Sequence, residues 1–175
     1  FSEEPDIQRF EPRAPLARPD AEPFVWAIDE WHAPMYYVPR DCPRACFWPD
    51  ATTSDEDRAR WFAGVRARLV IAIESGWLAR LRDTTLYRYR LPEAAFTPND
   101  ATAGHFVARE AVTPLGVEPV GDLLAALAAA DVELRMTPRL GPLWCAVVAS
   151  TLAFSGTRLR NAIGFPEEFP AHTAQ

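Results

Sequence analysis

Proline sets the first limit on this fold: the chain carries 17 in 175 residues, about twice the usual share of ~5%. A proline fixes φ, lacks the amide hydrogen, ends helices and is confined to strand edges. The chain must therefore be assembled from many short elements joined by irregular backbone. Pro5, Pro12, Pro15, Pro19 and Pro23 make residues 5–23 an extended loop with room for one short strand.

Between the prolines the elements can be read from pattern. "FVWAI" (24–28) predicts a buried strand from its aromatic and β-branched content. Asp29 is a good cap for a following helix that carries His32, Ala33, Tyr36 and Tyr37, with Pro34 keeping it short. "RACFW" (44–48) predicts a strand. "SDEDRARWFAG" (54–64) predicts the clearest helix: Ser54 caps it, acids fill its first turn and Gly64 ends it. "RLVIAI" (68–73) predicts a strand buried on both faces, followed by a short amphipathic helix over 75–83. "TLYRYRL" (85–91) alternates arginine with apolar residues, the period of a half-exposed strand. Residues 105–110 and 117–119 predict further strands, 121–131 a helix, 132–136 a strand, and 141–154 a last helix. From residue 156 the chain reads as loop. Short helices mixed with strands imply an α+β fold, with a bent mixed or antiparallel central sheet flanked by helices. One domain is expected over 1–165, with a loose tail over 166–175.

Charge narrows the function. The net charge is -6 and the pI about 5.1, which disfavours nucleic acid and anionic membranes as partners. Residues 40–90 run the other way, with ten arginines against seven acids. Lysine is absent, so Schiff-base chemistry and a P-loop lysine are excluded. An all-arginine set reflects genome composition or a use of forked, bidentate recognition of carboxylate and phosphate. The longest apolar run, 140–154, is broken by Pro142 and Ser150 and falls short of the ~20 residues that span a bilayer.

Three cysteines, Cys42, Cys46 and Cys145, fit a reducing cytoplasm better than a disulfide framework. No signal-peptide pattern is visible in the residues given. Glycine-rich nucleotide loops, the G-x-S-x-G elbow and zinc spacings are all missing. Cys42 lies between Arg40 and Arg44, which would favour a thiolate, yet isolated cysteines are more often buried small apolar residues. Glu74 ends an apolar strand, where side chains emerge into pockets or pair with arginine. "RLRNA" (158–162) reads as a surface loop or as an anion clasp.

The stretches "FSEEPDIQRFEPR" (1–13), "VWAIDEWHAPMYYVPRDCPR" (25–44), "TLYRYRLP" (85–92) and "RLRNA" resemble an uncharacterised bacterial domain family, whose members carry a histidine just before "FSEE". The chain given opens at Phe1, one place later. The "V-W-A-x-D" strand followed by a helix with alanine and aromatics is also similar to the ADP-ribosyltransferase-like superfamily. That resemblance implies a split sheet gripping NAD in a cleft. It implies catalytic roles for Glu110 and His32, with cofactor contacts from Ser2, Arg13, Trp26, Asp29, Tyr36, Arg40 and Arg44. No metal site is expected.

Three readings stay open at this level. One is an enzyme that binds NAD or a related nucleotide and acts at its ribose or phosphate. Another is a non-catalytic module for a small anion or peptide. The third is an interaction protein, for which Trp31, Tyr37 and Trp48 would form an exposed apolar patch.

Overall fold

A computed structural model describes residues 1–14 and 19–165. The expected tail over 166–175 and part of the proline-rich loop lie outside the described residues. The chain is α+β, as its pattern implied. The close contacts of the described residues gather in two compact units, one drawn from residues 1–33 and 85–121, the other from residues 34–84 and 122–165.

The first unit is built of strands. β1 (Val25–Ile28) pairs antiparallel with β6 (His105–Ala108), and β6 pairs antiparallel with β5 (Thr97–Asp100). β4 (Tyr87–Arg90) and β7 (Gly116–Pro119) form a separate antiparallel ribbon. Proline keeps its expected place, ending β7 and sitting inside β5, an edge strand with an irregular register at Pro98. Val25, Ala108 and Val112 form a small core, with Phe10, Leu91 and Phe96 packed on it. Tyr89 points inward and donates its hydroxyl to the Glu4 carbonyl at 2.6 Å, while Arg88 points out to Glu118. The tyrosine-in, arginine-out alternation read from the sequence is thus realised.

β1 departs from expectation. It is an edge strand, so Trp26 is 45% exposed rather than buried. The helix expected after Asp29 is a turn and a single 3-10 turn at Ala33–Tyr36, because Pro34 supplies no amide hydrogen for a continuing ladder.

The second unit is a four-stranded mixed sheet in the order β8, β3, β2, β9. Its strands are β2 (Arg44–Trp48), β3 (Leu69–Glu74), β8 (Val132–Thr137) and β9 (Ala153–Thr157). β3 is parallel to β8 and antiparallel to β2, and β2 is antiparallel to β9. β3 is buried along its whole length, as its apolar run required. α1 (Asp55–Phe62) begins at Ser54, whose hydroxyl accepts the Asp57 amide. α2 (Leu78–Asp83) and α3 (Leu123–Ala129) follow, the latter capped by Asp122.

α4 (Leu140–Val148) lays Leu140, Trp144 and Val147 against Ala45, Phe47, Val70 and Ala72. Burying each large apolar side chain is worth roughly 1.5–3 kcal/mol, which outweighs the weak helix propensity of Gly141 and Pro142 in the first turn. β9 replaces the end of the expected helix and the start of the expected loop. Its polar, glycine-bearing sequence becomes a strand because β2 offers it an open edge. Among the described residues, no helix is long and apolar enough to cross a membrane.

Candidate functional site

In the first unit, pairing of Ile28 with His105 places the chain after β1 beside Gly104. The Asp29 amide donates to the Gly104 carbonyl at 3.0 Å. The Asp29 carboxylate then turns back on the next residues. It accepts the His32 amide at 2.8 Å and meets His32 Nδ1 at 2.9 and 3.0 Å. A carboxylate beside Nδ1 assigns the proton there, so neutral His32 carries its lone pair on Nε2. Gly104 makes this packing possible. Its φ is +67°, and a Cβ at that position would lie 2.2 Å from His32 Nδ1 and 2.4 Å from Asp29 Oδ2.

His105 completes the cluster. Burial pushes its imidazole below the ordinary 6.5, and the His32 charge adds to that, while Asp100 and Asp29 oppose it. The Trp26 ring meets His105 edge-on at 6.0 Å, and the Trp31 ring meets His32 at 4.5 Å. Both tryptophans are more than two-fifths exposed.

Of the residues expected at a site, His32, Asp29 and Trp26 therefore come together. Glu110 does not join them. It is exposed, beyond the end of β6 where Ala108 pairs with Val25, roughly 16 Å along the strand from His105 at ~3.3 Å per residue. Arg13 is exposed, and its backbone pairs with Phe24 at that same far end. Ser2 is buried, its backbone bridged antiparallel to Tyr87, and its hydroxyl accepts the Glu4 amide at 3.1 Å.

The second unit gathers arginines. Arg44 begins β2 opposite Ile73 and Thr157. It is 2% exposed. Its Nη1 donates to the Cys42 carbonyl at 3.1 Å, and its guanidinium lies 4.9 Å from the centre of the Tyr36 ring. Its Nε is buried without a hydrogen-bond partner. Tyr36 shares a hydrogen bond with Thr157, and burial pushes its phenol up while Arg44 opposes the shift.

Arg158 follows directly on β9 with a left-handed φ of 55°, a conformation that costs a non-glycine residue about 1–2 kcal/mol. Burial and the charges of Arg160, Arg40 and Arg44 hold its guanidinium below its ordinary range, and the Asp41 carboxylate, 4.0 Å away, opposes them. Asn161 ties this turn down by donating to the Asp41 carbonyl at 2.7 Å. Tyr36, Arg40 and Arg44, expected at a site, thus share a neighbourhood with Arg158 and Arg160, which the expected set had left out. The signal for them was the "RLRNA" stretch, where two cations lie two residues apart.

Two other candidates resolve as structure. Glu74 is 1% exposed and accepts the Leu140 amide at 3.1 Å and the Ile163 amide at 3.0 Å. It thereby caps α4, whose own N-cap Arg139 makes no side-chain bond. Cys42 is fully buried, and burial pushes its thiol up to about 12, more than Arg44 can offset. That disposes of a ready thiolate. Trp48 is buried and Tyr37 half-buried, so these two do not supply an exposed apolar patch with Trp31. Among the described residues, no group of three or more histidine, cysteine, aspartate or glutamate side chains could hold a metal ion.

The sequence profile of one family matches residues 1–162. No curated protein and no solved structure matches the chain. With nearly the whole sequence covered, the chain belongs to DUF6886, a family of unknown function.

Proposed function

We infer that this protein binds a phosphate-bearing small molecule of the nucleotide class, and that Arg40, Arg44, Arg158 and Arg160 receive its phosphate. The observation that carries this reading is the Arg44 guanidinium, buried to 2% exposure with an Nε that no protein atom satisfies. A buried cation with an unused donor is costly unless an anion completes it. Around the neighbouring Arg158 the charges of Arg160, Arg40 and Arg44 all act against its guanidinium, with the Asp41 carboxylate opposing them, which points the same way. Forked guanidinium donors match phosphate oxygens two at a time. NAD, the ligand implied by the resemblance to ADP-ribosyltransferases, carries a pyrophosphate that suits such a cluster.

Isothermal titration with inorganic phosphate, ADP and NAD tests the reading, on the wild type and on Arg158→Ala. ADP or NAD is expected to bind, with affinity falling roughly tenfold in the variant and with rising salt. Nicotinamide release on top of binding assigns an enzyme acting at the ribose, and binding without turnover assigns a non-catalytic module. Absence of binding by all three probes removes the proposal.

A further inference from the structure

The four-stranded sheet of the second unit gathers Arg40, Arg44, Arg158 and Arg160 at one of its ends. β2 begins there with Arg44, opposite Ile73 and Thr157, and β3, β8 and β9 all finish there, at Glu74, Thr137 and Thr157. We propose that the group bound at this end is a terminal phosphate monoester, a dianion with three unsubstituted oxygens, and not the singly charged phosphate of a diester. This assignment rests on phosphate binding at these arginines and names the form of phosphate they select.

Charge balance makes the selection. Four guanidiniums and the Asp41 carboxylate together carry three net positive charges. Glu74, the carboxylate at the end of β3, does not reduce that excess on the Arg44 side. Ile73 is the residue that shares a face with Arg44, so Glu74 lies on the other face, where it already accepts the Leu140 and Ile163 amides. A diester brings one negative charge and two free oxygens. A monoester brings about −1.5 to −2 at pH 7 and a third oxygen, so that separate edges of the phosphate meet separate guanidinium forks.

Two costs meet at the same end of the sheet. Arg44 Nε is buried without a hydrogen-bond partner, and Arg158 holds a left-handed φ of 55°. The turn itself does not require arginine at 158. Its bonds run from the Asn161 amide to the Arg158 carbonyl at 2.9 Å and from the Asn161 side chain to the Asp41 carbonyl at 2.7 Å, and glycine would keep both without strain. A strained backbone at a charged side chain points to a role in binding. Access is graded as well: Arg40 and Arg160 are exposed, the Arg158 side chain is 26% exposed and Arg44 only 2%. A phosphate arriving from solvent meets the outer guanidiniums first, with Arg44 as a buried charge behind them.

Isothermal titration with AMP and with cyclic AMP is the experiment, since the two share a nucleoside and differ in charge and free oxygens at phosphorus. AMP is expected to bind at least roughly tenfold more tightly, and inorganic phosphate at millimolar concentration to compete with it. Arg158→Gly should melt at the same or a higher temperature, while its AMP affinity falls roughly tenfold and its preference over cyclic AMP narrows. Equal affinity for AMP and cyclic AMP, or no competition by inorganic phosphate, overturns the proposal and leaves phosphate binding standing. A glycine variant that melts lower and binds AMP like the wild type also overturns it, by making Arg158 a structural residue. Failure of every probe, ADP and NAD included, removes the phosphate site itself.

Discussion

Asp29 grips the imidazole of His32 with both of its carboxylate oxygens, at 2.9 and 3.0 Å from Nδ1. Gly104 closes over this pair so tightly that an added Cβ would lie 2.2 Å from the same nitrogen. Gly104→Ala thus combines a left-handed backbone penalty of about 1–2 kcal/mol with an overpacking cost of about 1–3 kcal/mol. The variant should lose roughly 2–4 kcal/mol in urea unfolding. A loss below about 1 kcal/mol would mean that the pair moves aside freely and is not a fixed feature.

Glu74 should matter to stability more than any surface acid. Its carboxylate is the acceptor for the Leu140 and Ile163 amides, and it is buried at the head of α4. Glu74→Ala leaves two donors unpaired and is expected to cost roughly 2–5 kcal/mol. Glu74→Gln keeps one oxygen acceptor and should cost about 1–2 kcal/mol. Hydrogen exchange at the Leu140 amide should accelerate in the alanine variant, and an unchanged rate there would count against the capping role.

Arg44 predicts the opposite sign. Among the described residues no carboxylate pairs with it, and its Nε is unsatisfied. Replacing a buried, incompletely compensated cation by an apolar side chain of similar volume is often neutral or stabilising by about 1–4 kcal/mol. Arg44→Met should therefore unfold at the same or a higher temperature without ligand, and should gain no added stability from phosphate or ADP. A variant destabilised by more than about 1 kcal/mol would show that the bond to Cys42 and the Tyr36 contact outweigh desolvation.

The cysteines give a prediction in pH. Burial pushes the thiols of Cys42 and Cys46 from 9.0 up to about 12, while Cys145 is exposed. The folded chain keeps protons that the unfolded chain releases above 9.0. This contribution to stability is whole below pH 9.0 and is lost as the pH rises from there through 12. Native protein at pH 8 should react with a thiol reagent at Cys145 alone, and denaturant should open the other two. Rapid labelling of Cys42 in the native state would contradict its burial.

Local sequence was enough to determine α1, from Ser54 and its acidic first turn, and β3, from an apolar run too continuous for a half-exposed strand. It also determined the faces of β4, since alternation fixes which side chains share a side. These features depend on neighbours three or four residues away, and such neighbours are always present. The strand β9 was not legible, because its polar residues become strand only when β2 supplies a hydrogen-bonding edge about a hundred residues distant. Burial of Arg44 is the same kind of fact. Nothing in "PRDCPR" separates an arginine at 2% exposure from its exposed neighbour Arg40, and pairing with Ile73 and Thr157 decides it. Likewise "VWAIDEWH" supplied an aspartate and a histidine at capping distance, but only the approach of Gly104, in the turn that leads into β6, turned them into an oriented pair. Short-range propensity selects the elements; long-range register decides which charges lose their water, and that loss is what makes a site.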